Sequence, residues 1–190
     1  MRTKLIVAGL ALLSAQPLIA QQLQNANGPS MLDTANWIVD NLAKGGGRWS
    51  QGHPVEEDNI RATISGCVLT YTVDHTETVA WGVYVDTFST DIPLGALESV
   101  DVAQFNGNSF SGIGVTASTE SITTTILSST KSGKDQPDRI NKMSRSRAFH
   151  FAFAQSGQDN ADLMPRMVKA LTHARDLCKA SYNPHPGEPF

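Results

Sequence analysis

Cys67 and Cys178 are the only two cysteines of this 190-residue chain. They fall in segments with different periodicities. Around Cys67, apolar residues recur every second position: Cys67, Leu69, Tyr71 and Val73 on one side, Val68, Thr70, Thr72 and Asp74 on the other. Side chains of a strand alternate between two faces, so this is a half-buried β-strand. Around Cys178, Met164, Met167, Val168, Leu171, Ala174 and Cys178 recur at three- and four-residue steps, the stripe of an amphipathic helix. A fold holding both cysteines inside must therefore set a closing helix against a sheet. In an oxidising compartment the two can pair, tying helix to sheet; the alternative is two buried thiols.

The N-terminus bears on the compartment. Arg2 and Lys4 precede an uncharged apolar run, Leu5–Leu13, and Ser14–Ala20 supplies small residues with cleavage points after Ala15 or Ala20. That is the layout of a secretory signal peptide. The run is shorter than the roughly 20 apolar residues a membrane helix needs. We expect residues 1–20 to be a signal peptide, 21–29 a flexible leader, 30–181 one β-rich domain and 182–190 a disordered tail. The product is expected in the periplasm or medium, not spanning a membrane. Without the first 20 residues the net charge falls from −3 to −5, which gives no general attraction to nucleic acid.

Ser30 with Asp33 forms a capping-box pattern ahead of a helix over Met31–Lys44, with Trp37 beside its apolar stripe. Gly45–Gly47 reads as a hinge. Strands are expected at Ile64–Val73, interrupted by a bend or bulge at Gly66, and at Val79–Val85, joined by a polar turn over Asp74–Thr78. In this register Val79, Trp81, Val83 and Val85 point inward. A short strand at Val100–Phe105, a turn at Asn106–Asn108, strands at Phe110–Ala117 and Ser121–Leu127, a polar loop over Ser128–Arg147 and a last strand at Ala148–Ala154 follow. The closing helix, about Ala161–Ser181, tolerates Pro165 near its first turn. Its polar face carries Arg166, Lys169, His173 and Asp176. The fold class is mainly β: about seven antiparallel strands with a leading and a closing helix.

This order resembles the pleckstrin-homology-like β-sandwich, in which a final helix plugs an open end of the sheets. It also resembles a group of small secreted bacterial proteins with that architecture. The residues concerned are Trp37-Ile38, the Gly66-Cys67-Val68-Leu69-Thr70-Tyr71 strand, and Leu171-Thr172-His173-Ala174-Arg175-Asp176-Leu177-Cys178. A second resemblance, through Gly47-Arg48-Trp49, is to a lipocalin-like barrel. It implies a carrier of a small apolar ligand, with Trp81, Phe110, Phe149, Phe151 and Phe153 lining the interior.

No metal, cofactor or catalytic residue is assigned. His53, His75, His150, His173 and His185 are not at ligand spacing, and no Gly-x-Ser-x-Gly elbow or phosphate loop occurs. Asp74-His75 is the nearest approach to a dyad, and Glu56-Glu57 to an acidic pair; both read as solvated turns. The anomalous stretch is Ser128–Arg147. Lys131, Lys134, Arg139, Lys142, Arg145 and Arg147 oppose only Asp135 and Asp138, a net +4 against −9 for the rest of the mature chain. Such a cluster can hold an anionic partner. The expected function is a non-enzymatic exported module that binds an envelope protein, an anionic surface or another anionic ligand there.

Overall fold

A computed structural model describes residues 28–50, 52–105, 110–153 and 159–181. The expected signal peptide, the Asn106–Asn108 turn and the tail lie outside these residues, as does the leader up to residue 27. The chain is mainly β, with helix α1 (Met31–Leu42) first and helix α2 (Asp159–Ser181) last. The strands are β1 (Gly47–Ser50), β2 (Pro54–Ser65), β3 (Val68–Val79), β4 (Gly82–Pro93), β5 (Leu97–Phe105), β6 (Phe110–Ala117), β7 (Ile122–Lys131), β8 (Lys134–Asp135), β9 (Met143–Ser146) and β10 (Ala148–Phe153).

They form two antiparallel sheets. The larger runs β1-β2-β3-β4-β7-β8, with β9 also on β7; the smaller runs β10-β6-β5. Neither closes on itself, so there is no lipocalin-like barrel. The chain crosses between the sheets after β4, after β6 and at Arg147, between β9 and β10.

The core lies where the two sheets and both helices meet. Tyr71 of β3 packs edge-on against Phe149 and Phe151 of β10, with ring centroids 5.7 and 5.1 Å apart. Leu69, Tyr71 and Val73 are buried, as the alternation predicts, and so are Phe151 and Phe153. Met164, Met167, Leu171, Ala174 and Cys178 bury the stripe of α2. The aromatic face of β10 is thus packed interior, not the lining of a carrier cavity; the side chain of Phe110 lies outside the described residues.

Cys67 and Cys178 form a disulfide, with Cα atoms 5.6 Å apart. Cys67 is not within a strand, however. Gly66 and Cys67 are the two-residue turn of the β2–β3 hairpin, with Ser65 paired to Val68. Gly66, expected as a bend or bulge, sits at φ +56°, the left-handed region that a side chain disfavours. The bridge therefore fastens the far end of α2 to a hairpin tip.

The capping box at Ser30 is present: Ser30 Oγ accepts from the Asp33 N–H at 3.1 Å, and the Ser30 N–H donates to Asp33 Oδ2 at 3.3 Å. Gly46 is no loose hinge. It is buried, bridges to Phe153, and has φ +83°; a Cβ there would run into the Glu57 carbonyl oxygen. Glycine allows this backbone to pass between the two sheets.

The main departures from expectation are at the far ends of the hairpins. Asp74–Thr78 is not a turn. β3 continues to Val79, and the turn is Ala80-Trp81. The apolar alternation of Val79–Val85 does not mark a buried face: Val83 and Val85 are over one third exposed, and Trp81 is 69% exposed. Ser128–Arg147 is not a loop. It holds the end of β7, then β8 and β9, which return along β7 as an interrupted edge strand. α2 starts at Asp159, so Pro165 lies in its second turn.

Candidate functional site

Register decides which polar residues of the large sheet are neighbours. Directly paired residues share a face, so β2, β3, β4, β7 and β8 carry two adjacent rows on the core-side face. One is Glu57, His75, Asp86 and Ser129; the next is Glu77, Tyr84, Lys131 and Lys134. These rows lie toward the hairpin tips, beyond the apolar residues that pack the core.

Arg139 joins the rows. It comes from a 3-10 turn over Pro137–Arg139, and its Nη2 donates to Asp86 Oδ2 at 2.6 Å. Its guanidinium carbon also lies 5.4 Å from the centroid of the Tyr84 ring. Asp86 is 4% exposed. A carboxylate so withdrawn from water needs a fixed cation, which Arg139 supplies. Asp86 Oδ1 and Ser129 Oγ, next to it in the row, are buried without a hydrogen-bond partner.

At the tips, the β3–β4 and β7–β8 turns touch. The Ser132 N–H donates to the Val83 carbonyl at 2.7 Å. Lys131 Nζ stands 5.1 Å from the Tyr84 ring centroid. Hydrogen bonding from Lys131, the largest cause, and from the Trp81 indole, with the nearby charges of Lys131 and Arg139, holds the Tyr84 phenol below its ordinary value. Lys131 and Lys134 face each other in register, an arrangement of like charges that costs stability unless an anion lies between them. Trp81, Tyr84, Lys131, Lys134 and Arg139 thus form an end of the sheet offering aromatic surface and cationic or N–H donors.

The six cations of the basic stretch are therefore not one cluster. Lys131 and Arg139 gather on Tyr84, with Arg139 committed to Asp86 and Lys134 paired to Lys131 on β8. Lys142, Arg145 and Arg147 lie further along the β9 edge. Arg145 pairs with Thr123 on the opposite face, and Arg147 stands 4.0 Å from Glu98. Charge density along the chain located the stretch. It could not find Trp81 and Tyr84, which come from another hairpin.

The remaining polar residues have structural partners. Asp74 and His75, consecutive in β3, point to opposite faces, so they cannot act as a dyad. Asp74 accepts from Thr87 at 2.7 Å and Asn59 at 3.0 Å; His75 Nδ1 lies 3.4 Å from Glu57. Glu56 and Glu57 are split the same way, Glu56 pairing with Arg48 at 2.7 Å. His53 pairs with Glu77 at 2.7 Å. His150 is exposed opposite the aromatic face, as expected. His173 lies on the polar face of α2, where Arg166, Lys169 and Asp176 are exposed, but is itself half-buried: its Nε2 lies 2.9 Å from the Pro29 carbonyl, where α2 meets the start of α1. Among the described residues, no group of three or more His, Cys, Asp or Glu could hold a metal, and no helix is long and apolar enough to cross a membrane.

No protein-family model, curated protein or solved structure matches this chain.

Proposed function

We propose that the chain is an exported, non-enzymatic β-module that docks on an anionic surface of the cell envelope through its paired hairpin tips. The observation that carries this reading is the convergence of Lys131 and Arg139 on Tyr84 beside the exposed Trp81, with Lys134 paired to Lys131 on the next strand. Tryptophan and tyrosine favour the boundary between water and lipid, where the ring is apolar and its N–H or O–H stays wet. Lysine stems reach past apolar neighbours to place their charge at head groups. Here the Tyr84 ring is the apolar neighbour of Lys131. Export is supported by the N-terminal pattern of residues 1–20 and is compatible with the disulfide. The pleckstrin-homology-like resemblance belongs to the same proposal, and an architecture carries no function by itself.

Each basic residue near an anionic membrane contributes about 1 kcal/mol. Reversing both Lys131 and Lys134 to Glu should therefore weaken binding by roughly 30-fold or more. The measurement is co-sedimentation of the chain from Gln21 onward with phosphatidylglycerol vesicles and with phosphatidylcholine vesicles. Binding only to the former, weakened by Lys131→Glu/Lys134→Glu and by Trp81→Ala but much less by Lys142→Glu/Arg145→Glu, is the expected result. Wild-type protein that ignores phosphatidylglycerol vesicles at low salt ends the proposal.

A further inference from the structure

Between α1 and α2 lies an open cleft of about 530 Å³ whose lining includes Asp33, Thr34, Trp37, Arg166, Lys169, Ala170 and His173. Its size falls within the range of small-molecule pockets, and its accessible lining is mostly apolar.

Three observations distinguish this cleft from a packing fault. First, the Thr34 hydroxyl is buried and makes no hydrogen bond, although a serine or threonine within a helix ordinarily bonds a backbone carbonyl one turn back. Second, the cations at the rim are uncompensated. Arg166 lies over the Trp37 ring, 5.2 Å from its centroid, and neither it nor Lys169 has an ion-pair partner among the described residues. Third, the one acid in the lining is occupied: Asp33 takes hydrogen bonds from the Ser30 hydroxyl at 2.7 Å and from its N–H at 3.3 Å. The cleft therefore offers an apolar floor and a positive rim. It is a site distinct from the hairpin tips.

We infer that the α1–α2 cleft binds a single-chain amphiphile with an anionic head group. The apolar chain lies against Trp37 and Ala170. The head meets Arg166 and Lys169, whose N–H groups make charge-assisted hydrogen bonds to a carboxylate or phosphate oxygen. Arg166 on the indole face is held in place before the ligand arrives, which lowers the ordering cost of binding.

The test uses the oxidised chain from Gln21 onward, with dodecanoate and dodecanol as probes below their aggregation limits, read by calorimetry. Dodecanoate should bind with one-to-one stoichiometry and dodecanol about 10-fold or more weaker. Arg166→Ala/Lys169→Ala should erase that difference. Ala170→Phe should remove binding by filling the cleft. Thr34→Val keeps the shape and should leave dodecanoate binding unchanged and thermal stability equal or higher, because it deletes an unpaired buried hydroxyl. Lys131→Glu/Lys134→Glu should leave dodecanoate binding unchanged, which separates this site from membrane docking. The inference is overturned if the wild type binds no dodecanoate, if both probes bind equally, or if Ala170→Phe binds as well as wild type. It is also overturned if only a chain starting at Gly28 binds dodecanoate, which would make the chain's own residues 21–27 the occupant.

Discussion

Arg139 is the residue on which the basic segment turns. Counted along the chain it is one cation of six; in space it covers a buried carboxylate and an aromatic ring. Its removal would leave Asp86 charged, buried and unpaired, since Oδ1 already lacks a partner. Arg139→Ala should therefore cost about 2 kcal/mol, seen as a lower urea midpoint. Arg139→Lys should recover only part of it, because an ammonium cannot both reach Oδ2 and lie flat over Tyr84. A midpoint unchanged in Arg139→Ala would remove this residue from the structural account and return it to the pool of free surface charge. None of this was legible in the sequence, because Asp86 lies 53 positions away and sits in a strand whose inward face was misassigned.

The hairpins of the large sheet illustrate why β elements are harder to read than helices. The Ser30 cap and the stripe of α2 were legible because helix signals are local: a cap bonds three residues on, and a stripe repeats every turn. The strand face of Leu69, Tyr71 and Val73 was legible too. Past it, period-2 alternation says that a strand has two faces without saying what covers them. Val83 and Val85 alternate as a core strand would, yet β4 there extends beyond the apolar contacts of the core, so the same pattern is exposed. The polar turn expected over Asp74–Thr78 is strand for the converse reason. Its polar side chains pair across the sheet, as Asp74 does with Thr87, and the pairing sustains β-structure that composition opposed. The disulfide joins two such elements. It spans 111 positions, and in the chain-entropy account closing so long a loop stabilises by about 4–5 kcal/mol, in practice often less. Cys67→Ala/Cys178→Ala should lower the thermal midpoint and speed amide exchange first in the last turns of α2, which the bridge fastens to the β2–β3 turn. Equal midpoints with and without reductant would argue that the helix docks through its apolar stripe alone.

Across the whole molecule, the two tyrosines at opposite ends of the large sheet's inner face make alkaline stability informative. Burial, with a smaller contribution from the Glu57 charge, holds the Tyr71 phenol far above its ordinary value. An unfolded tyrosine ionises near pH 10, so the native state keeps a proton that the unfolded state loses. Stability from this group is intact below about pH 10 and is lost as pH rises beyond it. Tyr84, held low by Lys131 and only half-buried, should ionise first and without unfolding. In a Tyr182→Phe background, which leaves these two phenols, phenolate absorbance should therefore rise in an early phase that Tyr84→Phe removes, and Tyr71 should ionise only together with loss of the fold. A single phase in which Tyr71 ionises while circular dichroism stays native would contradict the packing described here.

Residue order alone was enough for the mainly β class, the leading and closing helices, the inward face of β3 and the location of excess positive charge. Each depends on spacing within a few residues or on simple counting. Which strands extend past the core, that β8 and β9 return along β7, that Arg139 covers Asp86, and that α1 and α2 flank a cleft came only with the folded chain. The partners in each case lie tens of residues apart, and they meet because sheet register and helix docking are settled by burial summed over the whole core. His173 makes the point most directly. Helical periodicity puts it opposite the apolar stripe of α2 with Arg166 and Lys169, which are exposed, and from there solvent is the simplest neighbour. Its Nε2 instead meets the Pro29 carbonyl, from a segment more than a hundred positions earlier.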